Sequence, residues 1–163
     1  MKEEIRCGIG FDVHALVPDR KLILGGVEID HPTGLAGHSD ADVLVHAIVD
    51  ALLGAAGLGD IGQHFPDTDE KYKNIDSLRL LTATCEKLYT AGWQISNIDT
   101  TIIAQHPRLS GYVEKMKDRL SKTMRLSSEC VNIKAKTTEK LGFVGRDEGM
   151  AAMAVASIKR QAT

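Results

Sequence analysis

Met150-Ala151-Ala152-Met153-Ala154-Val155-Ala156-Ser157-Ile158 is the stretch whose reading decides the fold. As a strand it points alternate residues to opposite faces, and both faces are apolar, so neither belongs in water. Hydrophobicity alone would also permit a helix here. A chain of 163 residues is long enough for one domain with a core of its own, and helices can cover one face of its sheet. The other face then requires a neighbouring subunit. The expected architecture is mixed α/β (α+β), a single domain over residues 1–163. Its mixed sheet packs on helices and faces its counterparts across an oligomer axis.

Outward from that strand, residues 5–14 read as a first strand. Residues 21–29, with Gly25-Gly26 inside, read as a bent strand or short hairpin. Ser39 suits the N-cap of the clearest helix, with Asp42 three residues on, near the first-turn amides. Val43, Ala47, Ile48, Ala51 and Leu52 then recur at helical spacing until Gly54 and Gly57. Residues 57–76 read as loop, 75–91 as a helix stopped by Gly92, and 98–105 as a strand. A third helix is expected over 112–124 and a further strand over 131–138. No repeat or linker divides the chain.

Only 4% of residues are aromatic, so Ala, Val, Ile and Leu must do most of the packing. A net charge of -2 argues against a nucleic-acid surface, and no apolar run approaches the ~20 residues of a membrane span. Cys7, Cys85 and Cys130 are odd in number and lack CxxC spacing, which suits buried thiols in a reducing compartment. The first residues enter a strand pattern at once, leaving no room for a signal or transit peptide. A cytoplasmic protein is expected, with a processed organellar form left open.

The chemistry starts at Asp12-Val13-His14. Residues two apart on a strand share a face, so Asp12 and His14 can converge. Asp42, His46 and Asp50 form a polar stripe, four apart on the first helix. Alone, the DxH pair reads as a solvated Asp beside a hydrogen-bonded His, and His46 as a satisfied core residue. With His46 added, two nitrogens and one oxygen make a donor set suited to zinc. His38-Ser39, placed before the helix where free amides favour anions, turns the reading toward phosphate. No Cys lies near to close the tetrahedron, so the site is read as open to water or substrate. Further on, Lys136-Thr137-Thr138-Glu139-Lys140 supplies hydroxyls, amides and a carboxylate for a hard cation such as Mg²⁺ or Mn²⁺. Gly142, Gly145 and Gly149 permit a tight loop carrying Arg146. By composition the same segment also reads as a polar turn.

Several ordered blocks together carry a resemblance over nearly the whole chain. They are GIGFDVHAL at 8–16, LILGGVEI at 22–29 and GHSDADVLVHAIVDALLGAAGLGDIGQHFPDTD at 37–69, followed by TTIIAQHPRL at 100–109 and VNIKAKTTEKLGFVGRDEG at 131–149. In these the chain resembles the 2-C-methyl-D-erythritol 2,4-cyclodiphosphate synthase family. The resemblance implies a lyase of the non-mevalonate isoprenoid pathway. Its reaction forms a cyclic diphosphate from 4-diphosphocytidyl-2-C-methyl-D-erythritol 2-phosphate and releases CMP. It implies Asp12, His14 and His46 as ligands of one Zn²⁺ per subunit, and Glu139 as holding Mg²⁺ or Mn²⁺ with the substrate. His38 and Thr137 match positions that stabilise the reacting phosphates. Ser39, Asp60-Ile61-Gly62 and Phe65-Pro66-Asp67-Thr68-Asp69 match the methylerythritol side, and Asp12 and His14 also match substrate-binding positions. Ala104-Gln105-His106-Pro107-Arg108-Leu109-Ser110 and Lys136-Thr137-Thr138 match the cytidine and diphosphate side, with Phe143 and Arg146 close to substrate. A homotrimer with sites between subunits is implied too. So is an axial cavity taking an isoprenoid diphosphate at Arg146 and Glu148. A metal-dependent diphosphohydrolase and a non-catalytic zinc-binding trimer stay open beside this reading. The first would release a linear diphosphate, and the second would have a fourth protein ligand.

Overall fold

β1 (Glu3–Pro18) is the longest strand of a computed structural model that describes residues 3–161. β2 (Leu22–Leu24) and β3 (Val27–Ile29) form the expected hairpin, and β4 (Thr33–Leu35) returns to pair with the end of β1. Then follow α1 (Val43–Ala56), the single turn α2 (Ile61–His64), α3 (Ser77–Thr90) and β5 (Gln94–Ile103). The chain continues with α4 (Val113–Met124), β6 (Val131–Lys136), the short α5 (Gly142–Gly145) and β7 (Gly149–Gln161). Five strands make a mixed sheet in the order β4-β1-β7-β5-β6, in which only β5 and β6 run parallel. The apolar stretch 150–158 is thus a strand, the central one of the sheet.

Its two faces have different surroundings. Met150, Ala152, Ala154, Ala156 and Ile158 are buried beneath the helices. Met153 and Val155 point the other way, beside Phe11 and Ile9 of β1, and Ile9 is 67% exposed. With Ile5 and Val13 they form an apolar strip that none of the described residues covers. Cys7 is exposed on that same face, which corrects the expectation of three buried thiols: only Cys85 is fully buried. Burial pushes the Cys85 thiol up to about 12. All three cysteines are free.

Gly8 and Gly10 determine how closely α1 approaches. A Cβ on Gly8 would run into the Ala51 carbonyl and the Ala55 amide, and one on Gly10 into the Ala47 carbonyl. The helix backbone therefore lies directly on β1, with alanines at the contact. The contacts descend α1 as β1 ascends. Two strand residues cover ~6.8 Å and four helix residues ~6 Å, so the next strand position on that face, Asp12, is level with residues 43–47.

Several boundaries differ from expectation. Asp42, not Ser39, caps α1, accepting from the Val45 amide at 3.1 Å. Ser39 Oγ instead accepts from the Ala41 amide, Asp40 from the Asp42 amide, and Ala41 takes φ 57°. These local turns compete with the helix and delay its start to Val43. β5 begins at Gln94, before the expected 98, and residues 57–76 contain α2 and a 3₁₀ turn.

Asp42 also accepts from the amides of Gly25 (3.0 Å) and Gly26 (2.7 Å), tying the β2–β3 turn to the helix start. Burial, with the Asp40 carboxylate adding to it, moves its pKa upward. Asp42→Ala should remove a cap worth ~1 kcal/mol and leave two buried amides unpaired at ~1 kcal/mol or more each, about 3 kcal/mol together. At this chain size that is a fall of roughly 10 °C in Tm by thermal melt. A fall of only a degree or two would mean that water replaces the carboxylate.

Candidate active site

The strand–helix register brings Asp12, His14 and His46 together. Asp12 Oδ2 lies 2.8 Å from His14 Nε2 and 2.9 Å from His46 Nδ1, and the two imidazole nitrogens are 3.2 Å apart. Ligands tetrahedrally placed at zinc–ligand distances of ~2 Å stand on the order of 3.3 Å from one another, so the donor atoms fit one such ion. Each histidine is also held from behind. His14 Nδ1–H donates to the Ala36 carbonyl at 2.6 Å, so Nε2 is the nitrogen available to the site. His46 Nε2 meets the hydroxyls of Ser77 (3.0 Å) and Ser39 (3.1 Å). No fourth His, Cys, Asp or Glu joins this group among the described residues.

Burial works to raise the Asp12 carboxyl, but hydrogen bonds from His14 and His46 outweigh it and hold Asp12 well below the usual carboxylate range. For His14, burial works downward, and the hydrogen bond and charge of Asp12 reverse it to a net rise. The site therefore favours positive charge between its three donors, either a proton or a metal ion.

The other members of the polar stripe face elsewhere. Asp42 is turned into the core as described, and Asp50 accepts from the Ile61 amide at 2.7 Å, positioning α2. Burial raises the Asp50 pKa, with nearby Asp60 adding to it against the Ile61 hydrogen bond. Asp60 caps α2, so residues 60–62 are held against the helix that carries His46. His38 Nε2–H donates to the Asp69 carbonyl at 3.1 Å, joining the 65–69 segment to the loop before α1. Arg20 braces that loop through the carbonyls of Gly37 and Ser39.

Residues 104–110 and 136–139 form a second group, joined by a hydrogen bond from Ala104 N–H to the Lys136 carbonyl. The expected strand over 131–138 ends at Lys136, leaving both threonines in the loop. Thr137 Oγ1 donates to Glu139 Oε1 at 2.9 Å, Thr138 Oγ1 donates to the Leu141 carbonyl, and the Gln105 side chain accepts from the Lys140 amide. Glu139 and Lys140 both adopt positive φ, 53° and 66°. Phe143 lies against Gly149, His106 pairs with Asp147 at 2.9 Å, and Arg146 pairs with Glu148 at 2.8 Å.

Both groups lie at one end of the sheet, since His14 pairs with Met150, and Ala151 with Ile103, itself paired with Lys136. They do not meet within the chain. β7 and β5 intervene between β1 and β6, a separation of three strand spacings, or roughly 14 Å.

The profile of the YgbB family matches residues 5–159. The chain belongs to this family. It is 57% identical, over 157 residues, to the 2-C-methyl-D-erythritol 2,4-cyclodiphosphate synthase of Parabacteroides distasonis, covering 96% of this chain and 98% of that protein. Among solved structures, the bifunctional IspDF from Campylobacter jejuni superposes with a TM-score of 0.94 at 46% identity. That match takes in 98% of this chain, which spans 43% of the Campylobacter chain. A CDP complex of IspF from Plasmodium falciparum superposes with a TM-score of 0.86 at 30% identity, covering 99% of this chain and all of that one.

Within this YgbB-family fold, three supports of the metal site were not among the residues singled out in the sequence: the Ala36 carbonyl, Ser77 and Asp40. The first is a backbone group, which no residue type signals. The other two act through tertiary contacts between the 37–42 loop and the start of α3. Among the described residues, no helix is long and apolar enough to cross a membrane.

Proposed function

We propose that this chain converts 4-diphosphocytidyl-2-C-methyl-D-erythritol 2-phosphate into 2-C-methyl-D-erythritol 2,4-cyclodiphosphate and CMP. The observation that carries the reading is an open three-donor site at the same sheet end as the Lys136–Glu139 loop. It occurs in a chain 57% identical to a synthase of that name, and the Plasmodium relative with CDP supports a cytidine nucleotide as substrate.

Asp12, His14 and His46 hold Zn²⁺ in this reading, and Glu139 holds Mg²⁺ or Mn²⁺ with substrate phosphates completing its oxygen shell. Bound there, these ions would supply positive charge to the phosphates. The remaining work is positioning. The substrate's own 2-phosphate is already an anion, so the chain needs no strong base. One of its oxygens bonds to the β-phosphorus, the bond from that phosphorus to the bridging oxygen breaks, and CMP leaves with the electron pair. His38 and Thr137 donate to the phosphoryl oxygens as charge redistributes, and Lys136 neutralises the diphosphate. Ser39, Asp60-Ile61-Gly62 and Phe65 to Asp69 hold the methylerythritol, while Ala104 to Ser110 hold the cytidine. Phe143 and Arg146 line the entrance.

We infer a homotrimer with its sites between subunits. The bare strip of Ile5, Ile9, Phe11, Val13, Met153 and Val155 supports it, because a monomer would leave that patch in water. An isoprenoid diphosphate at the axis would compete with Glu148 for Arg146. A single cytoplasmic domain is consistent with three free cysteines. Incubation with the cytidyl substrate, Zn²⁺ and Mg²⁺, followed by ³¹P NMR, tests the function. A cyclic diphosphate with equimolar CMP is expected. A linear diphosphate would make the chain a hydrolase, and no CMP at all would make the metal site structural.

A further inference from the structure

His46 presents Nδ1 to Asp12 and His14, so a metal there requires the lone pair on Nδ1 and the proton on Nε2. That proton needs an acceptor, and the two hydroxyls beside it are not equivalent. The Ser77 hydroxyl donates to Asp40 Oδ1 in a short contact. Asp40 is itself oriented by the amides of Asp42 at 3.1 Å and Ser77 at 3.0 Å. With its hydrogen committed, Ser77 Oγ offers only lone pairs to His46 Nε2–H. Ser39 Oγ has no such anchor: it accepts from the Ala41 amide, and its own hydrogen stays free to rotate toward either neighbour. Ser77 is fully buried and His46 is nearly so.

We propose that Ser77, held by Asp40, is the positioning residue that fixes the His46 tautomer and strengthens its Nδ1 as a donor. It thereby sets the metal affinity of the Asp12–His14–His46 site. The assignment rests on the metal reading given above. Outer partners of metal-bound histidines act in this way, through the nitrogen that the metal does not use, and their loss typically weakens binding ten- to a hundredfold.

The test uses the full-length protein freed of metal by chelation, titrated with Zn²⁺ against a chromophoric competitor. In parallel, ¹H–¹⁵N spectra of the histidine rings read the His46 tautomer. Ser77→Ala should raise the Zn²⁺ dissociation constant about ten- to a hundredfold. It should also populate the Nδ1–H tautomer of His46, with both readouts taken at a temperature where the metal-free variant is folded. Asp40→Asn keeps the Ser77 hydroxyl but removes the anion, so both readouts should move the same way by less. This variant decides the matter if Ser77→Ala does not fold. Unchanged affinity and tautomer in the serine variant, while His14→Ala loses Zn²⁺, overturns this assignment alone. Wild-type protein that takes up no Zn²⁺ removes the metal reading and this assignment with it.

Discussion

His46→Ala is expected to abolish the Zn²⁺ binding proposed for this site and to lose about three orders of magnitude in turnover while keeping its fold. The helix carries the ligand but does not depend on it: α1 is buried on nearly every side by Val, Leu, Ile and Ala, and an alanine in its first turns continues it well. What is lost is one donor of three, and the rest cannot compensate. Asp12 and His14 leave a two-donor site whose carboxylate is only half-buried and whose histidine favours a proton. Metal charge on a phosphoryl oxygen is worth several kcal/mol, and about 1.4 kcal/mol is a factor of ten, which gives the expected loss. Metal analysis beside a rate measurement and a melt checks it. A variant that binds Zn²⁺ and cyclises normally would show that the three residues are an ordinary hydrogen-bonded cluster.

Gly10→Ala should be more damaging than its single methyl suggests. The added carbon would overlap the Ala47 carbonyl and crowd the Ala51 amide, both backbone atoms of α1 that no rotamer change can move. Helix or strand must retreat, opening the closest-packed seam of the core, at an expected cost above about 4 kcal/mol. The site fails with it, because the same approach brings His46 to Asp12. Even folded molecules should bind metal poorly. Gly54→Ala is the control: its added carbon would meet only the Ile9 carbonyl, at 3.9 Å, and alanine favours the helix by about 1 kcal/mol. Urea denaturation of both proteins separates the cases, and equal stabilities would remove Gly10 from the account.

What the sequence made legible was whatever periodicity carries. Strand 150–158 declares itself through two apolar faces, and the metal triad through a two-residue strand spacing plus a polar interruption of an apolar helix. Ser39 misled because Ser-x-x-Asp reads as a cap followed by a first-turn acid. Only the positive φ of Ala41 and the turns around it show that the helix starts later. The first half of β5 was hidden for a similar reason. Gln94, Ser96 and Asn97 have weak strand preference, and the pairing with β7 is irregular between Ile95 and Asn97. Ser77 lay beyond reach altogether, since its role depends on α3 docking beside the 37–42 loop.

A site shared between chains would join the proposed zinc half of one chain to the phosphate-binding half of a neighbour. Reassembly of two inactive proteins, His46→Ala and the double variant Thr137→Ala/Glu139→Gln, tests it most directly. If each site joins halves from two adjacent chains, equal mixing pairs an intact zinc half with an intact phosphate half in one half of one half of the sites. About one quarter of wild-type cyclic diphosphate formation should then return. Mixed assemblies, verified by mass, that remain inactive would contradict the claim.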